Sequence, residues 1–300
     1  MYADYYGLQE SPFSLTPDTS YFFLHQGQLE ALNVLRVALQ QGEGLLKVVG
    51  EVGTGKTLLC RKLLNLLGAG FYTAYLPNPA LAPTVLRKAL AKELGIDVSV
   101  VSDQHWLTER INERLIELAG EGNRVVLLVD EAQAIPEESL EALRLLTNLE
   151  TEKAKLLQIV LFGQPELDDK LSHPSLRQVK QRIAFSYRLQ PMAMDEIEGY
   201  ISHRLVVAGY QGKPLFFNPA LRAIYRSSQG VPRLINLICN KALLLAYGKG
   251  DHVVRKRYVR EAVSDTEGAV RARRSWLGWS IALTVALCSL AGSYLLGVLP

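Results

Sequence analysis

Cysteine is scarce in this chain. Cys60, Cys239 and Cys288 are the three in 300 residues, far apart and with no C-x-x-C spacing. That argues against a zinc site or a disulfide framework and suits a reducing compartment. No sign of charge is in excess: 33 Lys and Arg against 30 Asp and Glu leave +3, too little to announce a nucleic-acid binder. The first residues carry Asp4 and Glu10 and lack a basic stretch followed by an apolar one, so no signal peptide is expected. Internal repeats and low-complexity runs are missing too. What is plentiful is apolar side chain, at 48%, enough for a substantial core in about two folding units.

Against this background one octapeptide stands out. Gly50-Glu51-Val52-Gly53-Thr54-Gly55-Lys56-Thr57 matches G-x-x-x-x-G-K-[ST] at every fixed position. The run Leu45–Val49 before it reads as a buried strand, and the residues from Leu58 to Leu67 read as a helix. Glycines let the loop's N–H groups cradle phosphate oxygens at the positive end of that helix. Lys56 is expected to reach the β- and γ-phosphates, and the Thr57 hydroxyl to hold Mg²⁺. The expected ligands are therefore ATP and Mg²⁺.

Further strands are expected at Phe71–Leu76, Val125–Val129, 156–162 and 183–189, with helices between them. Alternation of this kind implies a parallel sheet covered on both sides. Asp130-Glu131 closes the five-residue apolar run Val125–Val129, which puts two carboxylates in the crevice at the carboxyl end of a parallel strand. There Asp130 would hold Mg²⁺ through its water shell and Glu131 would orient the attacking water. Gln164, in Gly163-Gln164-Pro165, would reach between the γ-phosphate and the water; otherwise it is a turn residue. Arg182, before the last strand, could enter a neighbouring subunit's site and stabilise charge there, or be a surface arginine, with Arg177 in reserve. Arg233, following Gly230-Val231-Pro232 at a helix start, could touch the γ-phosphate or simply face solvent.

From Pro191 only helices are expected, near 195–208, 219–227, 233–247 and 255–262. Residues 1–24 are aromatic and turn-rich, with Pro12 and Pro17, and no regular helix is expected there. From Trp276 to Pro300 no charged residue occurs, long enough to cross a bilayer. Arg271, Arg273 and Arg274 precede it, which predicts a cytoplasmic main body and a far-side C-terminus. The expected division is a nucleotide-binding domain over 1–190, a helical lid over 191–263, a basic linker over 264–275 and a membrane helix over 276–299.

With these pieces assembled, the chain resembles the AAA+ ATPases of the ExeA/GspA secretion and MshM pilus family. The resemblance rests on YYGLQESPFSLTPDTSYFF, GEVGTGKT, LLVDEAQ, FGQPEL, QRI and GVPRLIN, in that order. It implies an α/β P-loop NTPase with a parallel sheet, a small all-α lid and one C-terminal membrane helix. Sensor roles are implied for Gln164 and Arg233, and an arginine-finger role for Arg182. Cleft-lining backbone is implied for Gly50 to Thr57 and Leu58. Pro12 and Phe13 would border the adenine, unless their segment is a strap over the sheet edge. Gln164 stands where many AAA+ proteins have Asn or Thr. ExeA-type proteins continue into a periplasmic peptidoglycan-binding domain, whereas this sequence stops at Pro300, which favours the pilus branch over secretin assembly. The implied setting is a single-pass protein of the bacterial inner membrane, homo-oligomeric and working with pilus or secretion assembly proteins. A transposition-type DNA ATPase, drawing on Arg255, Lys256, Arg257 and Arg260, and a nucleotide-gated scaffold are the alternatives.

Overall fold

The computed structural model describes residues 2–99, 104–150 and 154–270. Cys288, the arginines at 271, 273 and 274, and the expected membrane helix lie outside the described residues. Among the described residues no helix is long and apolar enough to cross a membrane.

The chain opens with a single helical turn, α1 (Tyr2–Tyr6), and then α2 (Gln26–Gln41) leads to β1 (Leu45–Val49). After the phosphate-binding loop come α3 (Lys56–Leu66), β2 (Phe71–Leu76), α4 (Pro83–Glu93), α5 (Gln104–Gly120) and β3 (Arg124–Val129). Next are α6 (Glu137–Leu146), β4 (Leu157–Gly163), α7 (Glu166–Leu171), α8 (Arg177–Arg182) and β5 (Ile183–Arg188). The five strands of the sheet pair in parallel, in the order β2-β3-β4-β1-β5. β3 and β4 are apolar along nearly their whole length because helices cover both faces.

Side chains alternate across the sheet with period two. Leu45, Val49, Leu127, Val129, Ile159 and Leu161 pack with α4, α5 and α6 on one face. Leu46, Val48, Val126, Leu128, Val160 and Phe162 pack with α2 and α3 on the other. The strand order places β3, β4 and β1 side by side. The loops that follow them, at Asp130-Glu131, Gln164 and the phosphate loop, therefore emerge together on one edge.

The helices α9 (Glu196–Val207), α10 (Asn218–Ser228), α11 (Pro232–Gly248) and α12 (Lys256–Ser264) have a core of their own. Tyr6, Leu8, Phe13 and Tyr21 belong to it, so the aromatic N-terminal segment packs mainly on the helical layer, while Phe22 packs against the core between the sheet and α2 and α3. The segment also contains the helical turn α1 where the sequence predicts none. A lone turn is not stable by itself; here Tyr5 stacks on His252, with ring centroids 4.3 Å apart, and the Tyr6 hydroxyl donates to the Asp251 carbonyl. Tertiary packing supplies what local propensity does not.

Candidate nucleotide site

The turn from β1 to α3 depends on two left-handed glycines. Gly53 has φ +82 and Gly55 φ +92, a region that side-chain-bearing residues avoid. Gly53 is also tight: a Cβ there would lie 2.5 Å from the Cβ of Arg233. The Arg233 N–H donates to the Gly53 carbonyl at 3.2 Å. The start of α11 therefore rests directly on the phosphate-binding loop.

Lys56 is buried, and its ammonium donates to the carbonyls of Gly50 (2.8 Å) and Glu51 (3.0 Å). Burial pulls its pKa down, and the nearby Glu131 and Asp130 carboxylates oppose that. Thr54 is fully buried and closes the loop with a hydroxyl bond to the Glu51 carbonyl, 2.8 Å. Asp130, 3% exposed, has its pKa raised by burial, while the Thr57 hydroxyl and the Glu131 N–H favour its charged form. Asp130 and Thr57 thus meet at the mouth of the loop.

Glu131 has a left-handed backbone, φ 50 and ψ 39, a costly conformation for a residue with a side chain. Its Oε2 accepts from Gln164 Nε2 at 3.1 Å and from Gln133 Nε2 at 2.5 Å. The structure therefore brings Lys56, Thr57, Asp130, Glu131 and Gln164 together. With Val52, Gly53, Gly55, Leu58 and Arg233, most of these line a cleft of about 330 Å³.

The far end of that cleft is built differently. Ser14, Leu15, Thr16 and Pro17 form one wall, and Tyr200, Arg204 and Asn236 the other. Arg204 is buried; its Nε donates to the Pro12 carbonyl and its Nη2 to the Ser14 carbonyl at 3.1 Å. Its guanidinium also lies over the Tyr21 ring, 4.6 Å from the centroid. The Tyr200 hydroxyl donates to Asn236 Oδ1 at 2.9 Å. On the other side, Arg61 donates to the Pro17 carbonyl at 2.7 Å, tying the segment to α3.

Two expectations about the N-terminal segment are therefore revised. Phe13 does not border the cleft: it is buried in the helical layer, edge-on to Phe216. Pro12 contributes a carbonyl to Arg204 and not a ring to the cleft. The next four residues line it instead, because Phe13 is the larger apolar group and is drawn into the core. Arg182 ends α8 on the exposed surface and is not among the cleft residues; Glu150 is its acidic neighbour. Arg177 is exposed as well. Sequence reasoning missed Gln133, although it closes LLVDEAQ. It also missed Asn236, one helical turn after Arg233 and so on the same face.

These residues fit a magnesium nucleotide: a left-handed N–H cradle, a buried lysine, and a hydroxyl beside a carboxylate. Among the described residues no group of three or more His, Cys, Asp or Glu could hold a metal.

Residues 39–171 match the family described as AAA domain. General secretion pathway protein A of Aeromonas hydrophila is 41% identical over 293 residues, covering 97% of this chain. Over nearly its whole length this chain is similar to that secretion protein, and its central part to the AAA domain. It spans 53% of that relative's length. Among solved structures, the ORC2 protein of Aeropyrum pernix in ADPNP–ADP complexes superposes with TM-score 0.60 and 18% identity, covering 96% of this chain and 79% of that one. Cdc6p of Pyrobaculum aerophilum superposes with TM-score 0.64 and 18% identity, covering 85% and 70%. Those likenesses establish the parallel-sheet P-loop fold.

Proposed function

We propose that this chain binds ATP with Mg²⁺ in the cleft between sheet and helical layer and hydrolyses it. The observation that carries this is the convergence of Thr57, Asp130, Glu131 and Gln164 beside the phosphate-binding loop. The loop N–H groups and Lys56 hold the phosphates, and Thr57 and Asp130 hold Mg²⁺. When bound, the metal neutralises phosphate charge. Glu131 orients the attacking water and draws on its proton, and Gln164 fixes the angle of the Glu131 carboxylate. Arg233, docked on Gly53, ties nucleotide contact to the position of the helical layer. The division near residue 190 into nucleotide domain and lid is part of the same reading.

The cellular role proposed is that of an inner-membrane ATPase supporting assembly of a type IV, MSHA-like pilus or a type II secretion complex. The likeness to general secretion pathway protein A supports it, as does the uncharged stretch from Trp276 to Pro300, which would cross the membrane once and keep the ATPase cytoplasmic. Homo-oligomerisation follows if Arg182, exposed at the end of α8, serves a neighbour's site. The DNA reading is weaker. Arg255 and Arg257 of its basic cluster both face Asp251, at 3.6 and 2.7 Å, which offsets part of the charge available for phosphates.

The test is steady-state ATP hydrolysis over a range of protein concentrations, with and without duplex DNA. Specific activity should rise with concentration, ignore DNA, and lose the rise in Arg182→Ala. Stimulation by DNA would favour the DNA reading. Intact binding with negligible turnover would favour the scaffold.

A further inference from the structure

Gln133 is the residue of the acidic-strand motif left without a role. It sits two residues after Glu131, in the middle of the short turn Ala132–Ala134. Its side-chain amide works in both directions. Nε2 donates to Glu131 Oε2 at 2.5 Å, and Oε1 accepts from the Gln164 N–H at 3.0 Å. Gln164 in turn donates its own Nε2 to the same Glu131 oxygen at 3.1 Å. The Glu131 and Gln133 side chains, with the side chain and backbone N–H of Gln164, form a closed ring of hydrogen bonds between the end of β3 and the end of β4.

The backbone at Gln133 is fixed separately. Lys170, from α7, donates to the carbonyls of Gln133 (2.6 Å) and Ile135 (2.7 Å). The side chain is therefore aimed from an anchored turn. Both amides converge on Oε2, and none of these bonds falls on Oε1. Glu131 starts from a left-handed backbone, a conformation that the surrounding contacts must hold in place.

We propose that Gln133 is a positioning residue for hydrolysis, which with Gln164 clamps Oε2 of Glu131 so that Oε1 is the oxygen turned to the attacking water. The inference rests on Glu131 being the water-orienting carboxylate. Gln133 touches neither water nor nucleotide in this scheme; it acts through Glu131. Because its Oε1 also holds the Gln164 N–H, it sets the two groups at a fixed separation.

The experiment compares kcat and KM for ATP, with thermal melting, in full-length wild type, Gln133→Ala, Gln133→Glu and Glu131→Gln. Gln133→Glu keeps an acceptor for the Gln164 N–H, so it guards against a variant that merely unfolds the turn, yet it sets a second carboxylate against Glu131. Both Gln133 variants should lose roughly 10- to 100-fold in kcat, the scale of one hydrogen bond to a charged group. KM should stay within about twofold, as expected for an interaction used after binding. Wild-type kcat in Gln133→Glu, with Glu131→Gln inactive, would overturn the role of Gln133 alone. A rise in KM matching the fall in kcat would overturn it as well. Normal turnover in Glu131→Gln would overturn the underlying assignment.

Discussion

The two ends of the cleft are made in opposite ways. At the phosphate end, one continuous segment from Gly50 to Leu58 supplies the loop, and two short strand-end motifs complete it. At the other end, Ser14 to Pro17 meets Tyr200, Arg204 and Asn236, groups separated by nearly the length of the described chain. The first end works through backbone geometry and side chains set at fixed spacings along three short motifs. The second works through a buried arginine that joins two carbonyls to a tyrosine ring. One can be read from spacing; the other exists only once the chain is folded.

Lys56→Ala should have the largest effect at the phosphate end. Losing the buried cation should weaken ATP binding at least about 100-fold, since charge-assisted contacts are the strong ones. Calorimetric titration with ATP checks this; melting in the absence of nucleotide should change less, because the cost of unpairing the Gly50 and Glu51 carbonyls is offset by removing a desolvated ammonium.

Arg204→Ala should show the reverse balance. The buried Pro12 carbonyl and the part-buried Ser14 carbonyl would lose their donor, costing about 2–4 kcal/mol. The melting temperature should fall sharply, and KM for ATP should rise as the 14–17 wall loosens, with kcat less affected. If melting is unchanged, the segment is not held by Arg204.

A smaller effect belongs to His25, which starts α2. It is 2% exposed with both ring nitrogens unpartnered, and burial lowers its pKa from 6.5 against an opposing pull from Glu196. The unfolded chain therefore takes up the proton first. Stability is full above about pH 6.5 and falls as the pH drops below it, with a slope of at most about 1.4 kcal/mol per pH unit for one proton. His203 is lowered in the same direction, also by burial, so His25→Gln should flatten the melting-versus-pH curve only in part.

Much of the fold is legible beforehand for a physical reason. β1 and β2 coincide with their expected bounds, because short apolar runs between turn residues leave little choice. The four helices after Pro191 are also anticipated, since Gly and Pro punctuate them. Other features depend on contacts that no local pattern encodes. The helical turn α1 needs His252 and Asp251. The turning of Phe13 into the helical layer needs Phe216. In the site, Asp130 and Glu131 are legible because five apolar residues precede them. Gln133 is hidden because its role depends on Gln164, thirty-one positions away.

Everything proposed for the cleft depends most on Glu131 being the group that turns bound ATP over. The most direct test is ATP affinity and steady-state hydrolysis of Glu131→Gln beside wild type. Wild-type affinity is predicted, with turnover reduced at least about 100-fold. Hydrolysis at the wild-type rate would contradict that role.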